Sequence, residues 1–167
     1  HVRLEEEGEM RMSRPKGVRR VPDALHADVV DYLFEYYGKS IKVVSLKKGT
    51  ESVYFYHNDI FSNHESDQLH FMIQVRKYFS RYLKKNESKL DDDEKTVLQK
   101  LIKILSTHSA LISIVKLIPG AVTEKIPEGL FNAAETFFPA ENGVVNLLTG
   151  ELLPPSPEYL FNTKSQI

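Results

Sequence analysis

Glu141-Asn-Gly-Val-Val-Asn-Leu-Leu-Thr-Gly-Glu-Leu-Leu-Pro-Pro-Ser-Pro-Glu-Tyr-Leu-Phe161 is the stretch on which the reading of the fold turns. Two short apolar runs flank a glycine turn and end in a proline-rich exit. Asn142-Gly143 has the residue types of a tight turn with positive φ, and Val144 to Leu148 is strand-like. Thr149-Gly150 turns the chain, and Glu151 to Leu153 returns until Pro154-Pro155 stops the pairing. The expectation is a β-hairpin over 142–154 with a set direction of exit. Val144, Leu147, Leu152 and Leu153 should bury apolar area, while Gly143 and Gly150 permit turns that a side chain would strain.

Upstream of the hairpin the pattern is mostly helical. Asp23 is placed to cap a helix running to Tyr37, with Leu25, Val29, Leu33 and Tyr36 or Tyr37 at three- and four-residue spacing and Gly38 as its stop. Ile41 to Leu46 and Ser52 to His57 are rich in valine and aromatics around Lys47-Lys48-Gly49-Thr50, a second hairpin, after which Asn58-Asp59 turns the chain. From Asp67 to Lys85 an apolar stripe of Leu69, Met72, Ile73, Phe79, Tyr82 and Leu83 predicts a helix, with Arg76 interrupting it. Asp91 to Glu94 has the form of a capping box ahead of Val97, Leu98, Leu101, Ile102 and Leu105. A further helix over Ser109 to Ile118 should end against Pro119-Gly120. Between Thr123 and Ala140, Leu130 to Phe138 is expected to form a short helix. The fold class expected is therefore α+β, mainly helical, with helix, hairpin, helices and a terminal hairpin. The opening helix, hairpin and next helix have the order of a winged-helix unit.

With 167 residues, 41% hydrophobic and 27% charged, the chain has the composition of an ordinary soluble globular protein and a length that suits one compact domain or two small lobes sharing a core. No apolar run approaches the roughly 20 residues that span a bilayer, so no membrane partner is expected. The absence of cysteine rules out disulfides and thiolate metal sites and fits a reducing, cytoplasmic setting. Residues 1–21 read as an arm. Their first half is acidic, lacks the apolar centre of a signal peptide and does not begin with methionine, which suggests a piece cut from a longer protein.

No glycine-rich loop followed by Lys-Ser or Lys-Thr is present to cradle phosphates beside magnesium, so this piece is expected to be catalytically silent. The six histidines lack the paired spacing of zinc sites, and Asp91-Asp92-Asp93-Glu94 reads as a solvated helix start, because consecutive helical residues point in different directions. Neither a metal nor a catalytic residue is expected. What remains is basic. On the helix from Asp67, His70, Gln74, Lys77, Arg81 and Lys84 share one face, with Lys85 beside it and Lys89 just beyond. Lys47 and Lys48 lie in the hairpin turn, and Arg19 and Arg20 in the arm. These cations are the candidate nucleic-acid contacts, and Tyr54, Tyr56 and Tyr78 are candidates for base stacking unless the core claims them.

The wording from Asn142 to Phe161 resembles the segment just ahead of the helicase core in superfamily-three primase-helicases of phages, plasmids and poxvirus-type large DNA viruses. Val53-Tyr-Phe-Tyr-His-Asn-Asp-Ile-Phe61 is similar to a strand and turn of the same family, although Asp59-Ile60 stands where the family has Asp-Gly. Ser109-Ala-Leu-Ile-Ser-Ile-Val-Lys116 sits where the family places its last helix before the core. The resemblance implies that residues 22–167 are a non-catalytic, helicase-preceding domain of a DNA-replication protein. Such a domain links primase to helicase, contacts template or single-stranded DNA, and supports a hexameric ring whose motor domain uses ATP and magnesium. Two other classes fit the same residues: a free-standing winged-helix DNA-binding regulator, and a pure protein-interaction module.

Overall fold

The computed structural model describes residues 21–133 and 136–163. They form an α+β fold with helical majority. The chain divides into two compact units, one built from the residues up to Gly38 and Leu69–Ala121, the other from Lys39–Gln68 and the chain from Val122 on.

The first unit is helical. Helix α1, His26–Tyr37, buries Val29, Val30, Tyr32, Leu33, Tyr36 and Tyr37, the spacing of a single apolar face. It packs against α4, His108–Ala121, which contributes Leu111, Ile114 and Ile118. Helix α2, Glu65–Asn86, enters this unit at Leu69 and meets α1 through aromatic pairs, Tyr32 with Phe79 at 5.1 Å and Tyr37 with Phe71 at 6.1 Å between ring centroids. Helix α3, Asp92–Ile104, adds Leu98, Leu101 and the following Leu105, all fully buried.

Two helix boundaries differ from the sequence expectation. The residue before α1 is Leu25, in extended conformation and with no side-chain cap, so Asp23 stands too far upstream to cap it. Leu25 itself is exposed rather than part of the apolar face. Helix α4 does not stop before Pro119 but carries it in its last turn, where the missing amide leaves one i→i−4 hydrogen bond unmade and only two helical residues follow. The start of α3 is as expected: Asp91 Oδ1 accepts from the Glu94 amide at 2.8 Å, and Glu94 Oε1 accepts from the Asp91 amide at 3.4 Å.

The second unit carries two sheets. Strands β1, Ile41–Ser45, and β2, Glu51–His57, form the expected antiparallel hairpin, joined by a 3-10 turn at Lys47–Gly49 in which Gly49 has φ +74°. Asn58 and Asp59 both take positive φ and connect β2 to β3, Ile60–Ser62, as a two-residue turn; that geometry accepts Asn and Asp where glycine is commonest. Strand β4, Ile126–Pro127, joins the other edge in parallel, giving the order β3-β2-β1-β4. Strands β1 to β4 thus belong to a different unit from α1.

Strands β5, Phe137–Ala140, β6, Gly143–Asn146, and β7, Leu152–Leu153, form a second, antiparallel sheet in that order. The terminal hairpin is therefore the distal part of a three-stranded meander. Phe137 and Phe138, expected in a helix, instead pair with Asn146 and Val145, because aromatic residues beside a ready strand edge gain more by pairing than a short helix returns.

One cluster closes the unit. Val44, Tyr54, Phe61 and Phe131 are buried together, with the Phe131 ring 4.7 Å from Tyr54 and 5.7 Å from Phe61. The chain after β7 comes back to this cluster: the Phe61 amide donates to the Phe161 carbonyl at 2.7 Å and the Asn132 amide to that of Leu160 at 2.9 Å. Asn132 Nδ2 donates to Asn162 Oδ1 at 2.5 Å while the Asn162 amide donates to Asn132 Oδ1 at 3.2 Å, a reciprocal clip on the exit segment.

Candidate nucleic-acid interface

Helix α2 is amphipathic because Phe71, Met72, Val75, Tyr78 and Phe79 recur at its buried face, and the residues opposite are free to be polar. This core stripe is rotated from the expected one, in which Leu69, Ile73, Tyr82 and Leu83 stood; those four are only half-buried. Lys77, Arg81, Lys84 and Lys85 follow spacings of four, three and one and lie within one arc of about 100° at 100° per residue. Lys84 and Lys85 are exposed, while Lys77 and Arg81 are half-buried and already engaged in interactions of their own.

The face ends sooner than its spacing implies. Gln74 is 8% exposed, with its amide nitrogen 3.3 Å from His70 Nε2, so it is core and not part of a phosphate-tracking surface. The accessible basic stretch is the C-terminal half of α2 together with Lys89 in the turn that follows. Two neighbours moderate it. Lys84 and Lys85 complement the negative end of the helix dipole, and the exposed carboxylates of Asp91 to Glu94 come next in the chain.

Lys47 is exposed in the β1–β2 turn of the second unit, with Lys48 next to it in the backbone. Arg19 and Arg20 lie outside the described residues. Of the candidate cations, four thus share one helix and two share one turn. The candidate stacking residues are used otherwise: Tyr54 and Tyr78 are buried, and the Tyr56 ring lies 5.3 Å from that of Phe61. Burial, then the nearby Glu128 carboxylate, raises the Tyr54 phenol above its ordinary value, and burial with Asp59 does the same more strongly for Tyr56.

At the terminal sheet, Gly150 has φ +73° with open space around it, as the turn chemistry predicts. Asn142 sits with Glu141 in the β5–β6 turn and does not take positive φ. Gly143 is a strand residue with the expected positive φ, +157°, and a Cβ there would in addition lie 2.5 Å from the Leu153 carbonyl oxygen. Val144 is buried and Leu153 half-buried, but Leu147 and Leu152 are 57% and 49% exposed, against the expectation that they join the core.

The sequence reading missed one polar cluster. Asp67 accepts from Ser62 Oγ at 2.5 Å and lies 3.3 Å from His57 Nε2, while Ser62 Oγ also accepts from the His64 amide at 3.2 Å. Nucleophilic activation places an imidazole against the hydroxyl, whereas here the carboxylate stands between them. The cluster therefore acts as a clasp on β2, β3 and the first turn of α2, reinforced by Gln68 Nε2 donating to the Val53 carbonyl at 2.8 Å. Its only sequence signal is Ser62 preceding a helix start. Among the described residues no three His, Asp or Glu side chains converge as a metal site. Nor is any single helix among them long and apolar enough to cross a membrane; α3 and α4 reach that composition only jointly, across a 92° bend. No protein-family model matches this chain, and no curated protein matches it.

Proposed function

We propose that this chain is a non-catalytic domain of a DNA-replication primase-helicase, connecting primase and helicase regions and contacting DNA through the basic face of α2. The reading starts from the resemblance of Asn142 to Phe161 to the segment ahead of a superfamily-three helicase core. The observation that carries it on this chain is the alignment of Lys77, Arg81, Lys84 and Lys85 on one helix face, open at its C-terminal half. Such a face suits a run of phosphates and reads no bases, so binding should be sequence-tolerant and strongly salt-dependent. In this reading ATP and magnesium belong to the neighbouring motor domain, the parent protein assembles as a hexamer, and replication takes place in the host cytoplasm.

The test is anisotropy titration of single-stranded oligonucleotides of varied sequence over a salt series. Replacing Lys77, Arg81 and Lys84 with alanine should weaken binding uniformly and lower the salt slope by about one unit per lost contact. Because Lys77 and Arg81 are half-buried, the exposed pair Lys84→Ala/Lys85→Ala serves as the second variant, with a slope change of about two. Unchanged affinity in the folded pair variant would make the face ordinary solvated surface, and a sequence-selective duplex footprint would point to a regulator instead. A second reading, an interaction module, is favoured by the exposure of Leu147 and Leu148 on a hydrogen-bonded loop.

A further inference from the structure

The terminal sheet is apolar on both of its faces. Pro139, Val144 and Leu153 stand in register on one side, and Phe138, Val145 and Leu152 on the other. An antiparallel sheet with one face in water alternates apolar with polar residues, whereas Phe137-Phe138, Val144-Val145 and Leu152-Leu153 are consecutive apolar pairs, the pattern of a sheet covered twice. The chain itself supplies one cover: Val144 is buried, and the Tyr159 ring of the exit segment lies 5.0 Å from that of Phe137. The other face is open, with Phe138 and Leu152 exposed at 36% and 49%. The Leu147 amide donates to the Thr136 carbonyl at 2.8 Å, which extends the ladder by one pair and puts Leu147, 57% exposed, on the same side as Val145.

The loop that holds Leu147 is ordered before anything binds. Asn146 Oδ1 accepts from the amides of Leu148 at 2.9 Å and Thr149 at 3.4 Å, and the Gly150 amide donates to the Asn146 carbonyl at 2.7 Å. Apolar side chains held out by such a backbone lose little entropy on binding. Shape and charge then select the occupant. Neither edge suits an added strand, since β5 carries Pro139, which has no amide, and β7 is two residues long before Pro154-Pro155. The face itself suits a helix: three strands at roughly 4.8 Å spacing span about 10 Å, the width of one α-helix. From Ile126 to Thr163 the sequence holds five glutamates and neither lysine, arginine nor histidine. Two of these, Glu141 and Glu151, are exposed in the turns at the two ends of β6.

We propose that the outer face of the terminal sheet is a docking site for a cationic amphipathic helix of a partner protein. The helix lays its apolar stripe over Phe138, Val145, Leu147 and Leu152 and sets lysine or arginine side chains toward Glu141 and Glu151. Burial of the apolar strip supplies the affinity, and the absence of any cation along this part of the chain sets the sign of the partner's charge. The site goes beyond the DNA reading, because it lies wholly in the second unit and uses no residue of the α2 face.

Fluorescence anisotropy of labelled synthetic helical peptides against the full 167-residue chain tests this. Three peptides share one length and leucine content: a striped one with leucine at i, i+3, i+4 and i+7 and lysine elsewhere, the same stripe with glutamate elsewhere, and the lysine composition scrambled. The striped lysine peptide should bind, and the other two about tenfold more weakly or less. Leu147→Ser/Leu152→Ser should weaken the striped lysine peptide by about tenfold, and Glu141→Gln/Glu151→Gln by about threefold, both with unchanged circular dichroism. Lys84→Ala/Lys85→Ala should leave peptide binding intact while weakening oligonucleotide binding, which keeps failure here apart from failure of the DNA reading. Equal binding of the striped and scrambled peptides, or equal binding by wild type and the leucine variant, would overturn the proposal. So would self-association of the wild type, or its binding to phosphatidylcholine vesicles, that the leucine variant loses, since a second copy or a lipid surface would then be the occupant.

Discussion

At the scale of single residues, Gly143 and Gly150 were legible as glycines but not for the same reason. Turn chemistry identifies Gly150, whose φ of +73° a β-branched residue tolerates poorly. Gly150→Val should cost about 1–3 kcal/mol in urea unfolding, and Gly150→Asn clearly less, since asparagine visits that region. Gly143 also takes a positive φ, +157°, but carries a second constraint, the approach of the Leu153 carbonyl, a contact between strands that local sequence cannot announce. There asparagine should do no better than alanine, because any Cβ meets that oxygen. Phe131 was equally hidden: it follows a 3-10 turn, outside any periodic run, yet plugs the cluster of Val44, Tyr54 and Phe61. Phe131→Ala should cost about 3–5 kcal/mol by thermal or urea unfolding. Tyr56 offers the opposite case, since its buried hydroxyl has no hydrogen-bond partner. Tyr56→Phe should be neutral or stabilising near neutral pH. Its phenol is raised from an ordinary 10.0 in the fold, so stability is intact below that value and falls as pH rises beyond it. The phenylalanine variant should lose less stability in that alkaline range, and an equal loss would show that other groups govern it.

Elements were read best where the pattern is local. The capping box of α3 and the strands around Lys47-Lys48-Gly49 needed only neighbouring residues, and both are as expected. Local spacing sets the stripe of α2 about one residue off, since it omits Phe71 and Tyr78 and puts Gln74 on the polar face; a buried glutamine looks like a solvated one until its surroundings are known. The same misassignment lengthened the candidate basic face, so half of that site was legible and its upper limit was not. The α3 cap carries its own prediction. Hydrogen bonds to the Asp91 carboxylate, chiefly from the Glu94 backbone, hold its pKa below the ordinary 3.8. A lowered folded value means the cap contributes fully above the unfolded value and is lost as pH falls through the folded one. Asn at this position also caps but does not titrate, so Asp91→Asn should flatten the acid limb of helicity measured by circular dichroism, relative to wild type. Identical acid limbs would remove Asp91 from the account.

For the whole molecule the decisive feature is that neither unit is continuous in sequence. The chain passes between them at Gly38/Lys39, Gln68/Leu69 and Ala121/Val122, and periodicity, which sees one element at a time, had no means of finding this. The helices of the first unit are complete by Ala121, whereas the second has by then only β1, β2 and β3. A chain ended at Ala121 would lack β4, Phe131, the terminal sheet and the exit segment whose Phe161 carbonyl accepts from the Phe61 amide. Val44, Tyr54 and Phe61 would then lose their cover, and a hairpin with one added short strand is rarely stable by itself. The truncated chain should therefore keep most of its helical circular dichroism, bind a dye that reports exposed apolar surface, and lose slow hydrogen exchange in β1 and β2 while α1 and α4 retain theirs. Helical signal lost in step with the strands would show that the helical unit depends on the sheets for its stability, and the description of two separately cored units would fail.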